Sequence, residues 1–173
     1  MKIVLSVVLL LISIVVVIAG IGLALPSAHT AKTRATLKAS PQHAWEAITN
    51  VGAFPTWRSD VKSVEVFPPA AGRRTWREDG SNGKISYQEV EAAAPSRFKV
   101  RLTDDSLPFG GTWTYDIQPA ATGTQLTITE DGIVRNPIFR FVSRFVFGHY
   151  KTQETYLRDL AKKFGETVTA ERL

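Results

Sequence analysis

The sequence predicts an α+β fold: a strongly curved sheet of seven antiparallel strands wrapped on one long C-terminal helix, with two short helices after the first strand and a separate apolar helix in front. Three observations carry that prediction. Residues 3–25 hold no charge, six runs between residues 61 and 134 alternate with a period of two, and beyond Asn136 the apolar period returns to about 3.6.

The first segment, "IVLSVVLLLISIVVVIAGIGLAL", is 23 residues long. At about 1.5 Å per residue it spans the roughly 30 Å hydrocarbon core of a bilayer. A cleaved secretory signal is the competing reading, but its apolar region normally runs about 7–15 residues, and Gly22 with Ala24 makes a poor cleavage site. A retained single-pass anchor in the cell membrane is therefore expected. Lys2 precedes it, while Lys32, Arg34 and Lys38 follow it, which leans the domain towards the cytoplasm by a narrow margin. Residues 26–32, "PSAHTAK", are expected to be a short polar linker, so that 1–31 form anchor and linker and 32–173 the domain.

The first strand is expected at 33–37. In "SPQHAWEAITN" Ser40 suits an N-cap, Pro41 the first helical position, and Ala44, Trp45 and Ile48 one buried face. A second short helix or turn covers 51–57, ended near Pro55. The alternating runs "VKSVEVF", "RRTWRE", "KISYQEVEA", "RFKVRL", "GTWTYDIQP" and "TQLTITEDGIV" then supply six strands, divided by "PPAAG", "DGSNG", "APS" and "AATG". After Asn136 and Pro137, which suit a cap and first turn, Phe141, Phe145, Tyr156, Leu157, Leu160 and Phe164 mark a helix that closes at Gly165. Gly148 is read as tolerated within it.

A single helix does not fill the concave face of such a sheet, so a cavity is expected between them. Strand parity points Trp76, Glu78, Ile85, Tyr87, Glu89, Phe98, Val100, Leu102, Trp113, Tyr115, Ile117, Leu126, Ile128 and Glu130 inward. Lys99, Arg101, Thr112, Thr114, Asp116, Thr127 and Thr129 take the other face. The expected ligand-facing set is Trp57, Trp76, Tyr87, Phe98, Val100, Trp113, Tyr115 and Ile128, with Phe141 and Phe145 from the helix. Aromatic and aliphatic walls with a few polar tips suit a hydrophobic small molecule. Plain core packing competes for each of these residues.

Catalytic chemistry is harder to assemble. Glu78, Glu89, Glu130, Tyr87 and Tyr115 are the candidate acid/base groups, and burial would raise the carboxyl pKa values of the three glutamates. His29 in the linker, His43 in the first helix and His149 in the last lack ligand spacing, and no nucleophile elbow or phosphate-binding glycine loop is present. No metal and no cofactor are called for. The absence of cysteine removes disulfides, thiol nucleophiles and thiolate zinc ligands together. Without residues 1–31 the net charge is +4, against +5 for the chain, and no basic run carries interleaved aromatics, so nucleic acid is not expected as a partner. A monomer is expected.

"NPIFRFVSRFVFG" (136–148) carries more phenylalanine than one buried face needs. Ile138, Phe141, Val142 and Phe145 suffice to close a cavity. Phe139 or Phe147 is then expected at the cavity mouth or outer surface, with Arg140 and Arg144 reaching towards lipid phosphates. The alternative is that both are buried by "VGAFPTW" and neighbouring strands.

In Ser40-Pro41 with Trp45, Pro55 with Trp57, Gly111 with Trp113, Gly123-Thr124, Thr129-Glu130 and the Phe-rich opening of the last helix, the chain resembles the polyketide cyclase/dehydrase branch of the START-like (SRPBCC) superfamily over 33–166. The resemblance implies a helix-grip fold around an apolar cavity for lipids, sterols, quinones or polyketides. It carries over no catalytic set residue by residue. The function expected is binding, and transfer, of such a molecule by a membrane-anchored domain; the alternative is a cyclase, dehydrase or hydrolase acting in the same cavity.

Overall fold

The computed structural model describes residues 2–173. The leading helix α1 (Lys2–Ala24) is long and apolar enough to cross a membrane, and of its residues only Gly22 is buried against protein. Three residues separate α1 from the first strand. Strand β1 runs Ala28–Leu37, so most of the predicted linker is strand. It puts Ala31, Thr33, Ala35 and Leu37 inward. The first three are small or polar, and so the segment carries no apolar signal.

Helix α2 (Pro41–Thr49) is capped as expected: the Ser40 hydroxyl accepts from the His43 N–H, and Ala44, Ala47 and Ile48 are buried. A 3₁₀ turn (Val51–Thr56) follows and buries Val51 and Phe54. Then come β2 (Val61–Ala70), β3 (Arg73–Gly80), β4 (Gly83–Ala93), β5 (Arg97–Leu102), β6 (Phe109–Ala120) and β7 (Gly123–Val134). All pair antiparallel, in the order β2-β3-β4-β5-β6-β7-β1 and then a short eighth strand. The eighth strand is the departure from seven. It is a two-residue piece, β8 (Glu171–Arg172), which adds to the free edge of β1 through Thr33 and Arg34.

The predicted single C-terminal helix is broken. Helix α3 (Pro137–Val142) is capped by the Asn136 side chain, which accepts from the N–H groups of Ile138 and Phe139. A π turn (Ser143–Phe147) extends it, closed by the Gly148 N–H donating to the Ser143 carbonyl at 2.9 Å. Gly148 then adopts φ 70° and ψ 164°, a conformation essentially reserved for glycine, and the chain turns away. Of the two C-terminal helices, only α4 (Lys151–Lys163) covers the middle of the concave face, where its Tyr156 meets Tyr115. It buries Gln153, Tyr156, Leu157, Leu160 and Ala161, the i, i+3, i+4, i+7, i+8 stripe of an amphipathic helix. Gly165 ends it, with the Glu166 N–H returning to the Ala161 carbonyl.

Helix α3 packs chiefly on the last turns of α1, with only a small contact to β7. At Gly22 a Cβ would collide with the Pro137 carbonyl oxygen, so only glycine permits this approach. Arg140 is turned inward, contrary to expectation: it donates to the carbonyls of Val134 and Arg135 at 2.8 and 3.1 Å and approaches that of Leu25 at 3.5 Å. It ties α3 to the junction of α1 and β1. Phe139 and Phe147 are 46% and 63% exposed, which excludes their burial under the 3₁₀ turn.

Candidate functional site

The concave face carries the inward set the alternation predicts, because antiparallel partners share a face: Trp76 pairs with Tyr87, Tyr87 with Leu102, Val100 with Trp113 and Phe98 with Tyr115. Aromatic packing fills the middle of the groove. Trp76 stacks on Tyr87 at 5.6 Å and on Phe98 at 6.5 Å, and Tyr115 meets Tyr156 of α4 at 5.3 Å. Trp57 stands edge-on to Phe54 and Tyr156. The void is therefore not one central chamber but two adjoining spaces.

The inner space is small, about 50 Å³, and is lined by Trp76, Phe98, Val100 and Tyr115 with Arg58, Asp60 and Glu78. The outer space is about 830 Å³. It lies where β6, β7 and the start of β1 meet α3 and the first turn of α4, with Leu102, Trp113, Ile133, Val134, Phe139 and Phe147 among its walls. Asp60, Asn82, Ile85, Tyr87, Trp113 and Thr152 border both.

Of the predicted ligand-facing residues, Trp76, Tyr87, Phe98, Val100, Trp113 and Tyr115 thus converge on the cavity. Trp57 and Ile128 do not line it; they pack in the core. Phe141 and Phe145 do not line it either. Their rings pack on each other at 4.9 Å on the detached helix segment, and Phe145 is 59% exposed. The break at Gly148 is the cause, since it rotates the phenylalanine segment out of the groove that α4 covers.

The three glutamates separate. Glu78 is buried, accepting from Trp76 Nε1 at 3.0 Å and from Arg58 at 3.0 Å. Arg58 also holds Asp60 through two bonds of 3.1 and 2.8 Å, and its guanidinium lies against the rings of Phe54 and Tyr156. Burial pushes the Glu78 carboxyl above the usual range; the Arg58 charge and the Trp76 bond pull against it. Burial also opposes the Arg58 charge, but Glu78 and Asp60 outweigh it and keep the guanidinium charged. The Tyr87 and Tyr115 phenols are pushed up, mainly by burial. Glu89 shares the concave face yet stands off the cavity, tied to Arg74 at 2.5 Å. Glu130 lines the outer cavity, its Oε1 3.5 Å from His29 Nε2.

Sequence reasoning missed Arg58 and Asp60, which lie in the aperiodic turn before β2. The one available signal was Glu78 itself, because an inward carboxylate needs a cation. It also set His29 and His149 aside, yet both border the outer cavity, their rings stacked 3.8 Å apart. Gly132 makes room for this, since a Cβ there would meet the His29 ring. His29 Nε2 is buried without a hydrogen-bond partner among the described residues. The His149 imidazole is held below its ordinary pKa by burial, then by His29; the Glu130 carboxylate opposes this and Arg144 adds to it. Among the described residues no three His, Asp or Glu side chains converge as metal ligands.

The chain is similar to solved structures of this architecture. They include a conserved protein from Geobacillus kaustophilus (TM-score 0.62, 16% identity, covering 82% of this chain and 99% of that one). The Zhui aromatase/cyclase from Streptomyces sp. R1128 gives a TM-score of 0.57 at 12% identity, over 79% and 90%. The di-domain ARO/CYC StfQ of the steffimycin biosynthetic pathway gives 0.63 at 11%, over 80% and 52%. At these identities the likeness is one of fold. No curated protein matches the sequence. The model of one family, described as polyketide cyclase / dehydrase and lipid transport, matches residues 28–165. That span begins at the first residue of β1 and ends at the glycine that closes α4, so it takes in the sheet, the cavity and the helix above it: the chain belongs to this polyketide cyclase/dehydrase family, of the SRPBCC type.

Proposed function

We propose that the protein binds a hydrophobic small molecule in the outer cavity and does so at a membrane crossed by α1. The observation that carries the reading is the cavity of about 830 Å³, within the range of small-molecule sites and walled by Ile85, Leu102, Trp113 and Val134. The family's description, which couples cyclase and dehydrase chemistry with lipid transport, supports it. Native mass spectrometry of the full-length protein in detergent is expected to find a co-purified lipid, quinone or polyketide-like molecule. Leu102→Trp, which fills the wall, should release that molecule without unfolding the protein. A full-length protein that emerges empty and stays empty after exposure to a lipid extract sinks the reading.

A second reading has an observation of its own. Glu78 and Tyr87 border the cavity floor, and burial raises both. A carboxyl tuned upward beside an apolar substrate suits general acid/base work of the cyclase or dehydrase kind. Both Glu78 oxygens are already engaged by Arg58 and Trp76, which favours the binding reading.

A further inference from the structure

We propose that the phenylalanine turn of residues 138–147 is seated in the membrane interface and that the outer cavity opens there, so that its ligand is a bilayer-resident molecule taken laterally from one leaflet. The ligand part rests on the binding reading above; the surface part stands apart from it.

Outside α1, eight large hydrophobic residues are exposed among the described residues, and five of them are Ile138, Phe139, Phe145, Val146 and Phe147. Their exposures run from 40% to 65%. Single exposed apolar residues are ordinary, but such a concentration marks a surface that is covered by something.

Its position says what covers it. Helix α3 packs against α1 at Gly22, two residues before α1 ends, and Arg140 reaches the carbonyl of Leu25 just beyond that end. At about 1.5 Å of rise per residue, the start of α3 lies about 3 Å from the end of an uncharged helix. A membrane that holds α1 therefore reaches the level of α3, and the phenylalanine turn continues the same apolar surface sideways. Cations flank it. Arg144 within the turn and Lys151 just after it are both exposed and have no ion-pair or hydrogen-bond partner among the described residues. An apolar face with free basic residues beside it matches the acyl chains and acidic headgroups of a leaflet.

The rim of the cavity belongs to this same surface. Phe139 and Phe147 line the cavity and keep about half of their surface exposed, and Ile133, 44% exposed, joins them from β7. Seated in the interface, that rim leaves no water between acyl chains and cavity wall. A hydrophobic ligand then enters without crossing solvent, which water-soluble substrates would not need.

The test uses full-length protein in vesicles of phosphatidylcholine and phosphatidylglycerol, washed to remove peripheral protein. Phe147→Trp and, separately, Phe145→Trp add a tryptophan at the turn; Val66→Trp adds one at an exposed site on β2, away from it. Interfacial helices bury their apolar face roughly 5–10 Å deep, so acyl chains brominated near the headgroup should quench the added turn tryptophan about twofold more than the β2 one. Circular dichroism confirms that each variant is folded. Equal quenching at the turn and on β2, or protein lost in the wash, overturns the proposal. Shielding of the turn tryptophan from aqueous acrylamide without bromolipid quenching also overturns it, since a second copy or another protein then covers the patch. Lipid quenching by a protein that co-purifies with no ligand retains the membrane surface and removes the binding reading, so the two failures are distinguishable.

Discussion

Arg58 is the residue on which the inner end of the cavity depends. It is mostly buried, bonded to Asp60 and Glu78 and sandwiched by two rings, and its removal leaves two carboxylates facing a low-dielectric space. Arg58→Met is expected to destabilise the fold by about 3–5 kcal/mol, the usual cost of breaking a buried pair from one side. The double variant Arg58→Met, Glu78→Gln should recover part of that loss, because the uncompensated charge is then halved. Urea unfolding of the two single variants and the double variant measures the coupling; strict additivity would show that Arg58 and Glu78 do not act as a unit. At this scale the strand residues were legible and Arg58 was not. Trp76, Glu78, Phe98 and Tyr115 announce their face by a period of two, whereas a residue in the turn between Phe54 and Val61 has no period to read.

Among the elements, the break between α3 and α4 shapes the site most, and it was the least legible. A glycine inside a helical pattern is usually tolerated, and nothing in "FVFGHYK" distinguishes φ 70° from an ordinary helical turn. The break carries His149 to the cavity edge, where it stacks on His29 of β1. Its folded pKa lies below the ordinary histidine value, so the neutral ring is the form the fold prefers. The stabilisation is accordingly complete above the ordinary histidine range and is lost as pH falls through it towards the lowered value. His29, Glu130 and Arg144 all face the ring, and only the carboxylate favours its charge. Thermal unfolding in a matched series of buffers should give a lower midpoint at about pH 5.5 than at about pH 7.5, with His149→Phe, which keeps the stack and removes the titration, showing a smaller difference. An unchanged slope in that variant would assign the acid sensitivity to other groups.

For the whole molecule, the question is where the domain starts. An alternating sheet and an amphipathic last helix were enough to predict a curved antiparallel sheet covered by a helix, because each rests on a local period. The join to α1 rests on none. Residues 28–31 look like linker by composition, yet they pair with β7 as Ala28↔Ile133, His29↔Gly132, Thr30↔Asp131 and Ala31↔Glu130. Thr30 Oγ1 donates to Asp131 at 2.9 Å. Most telling is Gln153 of α4, fully buried, whose amide donates to the Ala31 carbonyl at 3.1 Å while its oxygen accepts from Thr33 at 2.7 Å. A chain that starts at Lys32 loses the Ala31 carbonyl and leaves that buried amide nitrogen without its partner, a cost of about 1–3 kcal/mol before the lost strand pairing is added. A chain that starts at Ala28 keeps every one of these bonds and loses α1 with its contact to α3, the approach of Arg140 to the Leu25 carbonyl, and one terminal bond from the Val134 N–H to the Ser27 carbonyl. Compared by urea unfolding in the same mild detergent, which covers the phenylalanine turn in both, the 28–173 chain is expected to unfold as a single cooperative unit. The 32–173 chain should have a clearly lower midpoint. Equal midpoints would mean that 28–31 act as linker after all and that Gln153 finds its partner elsewhere.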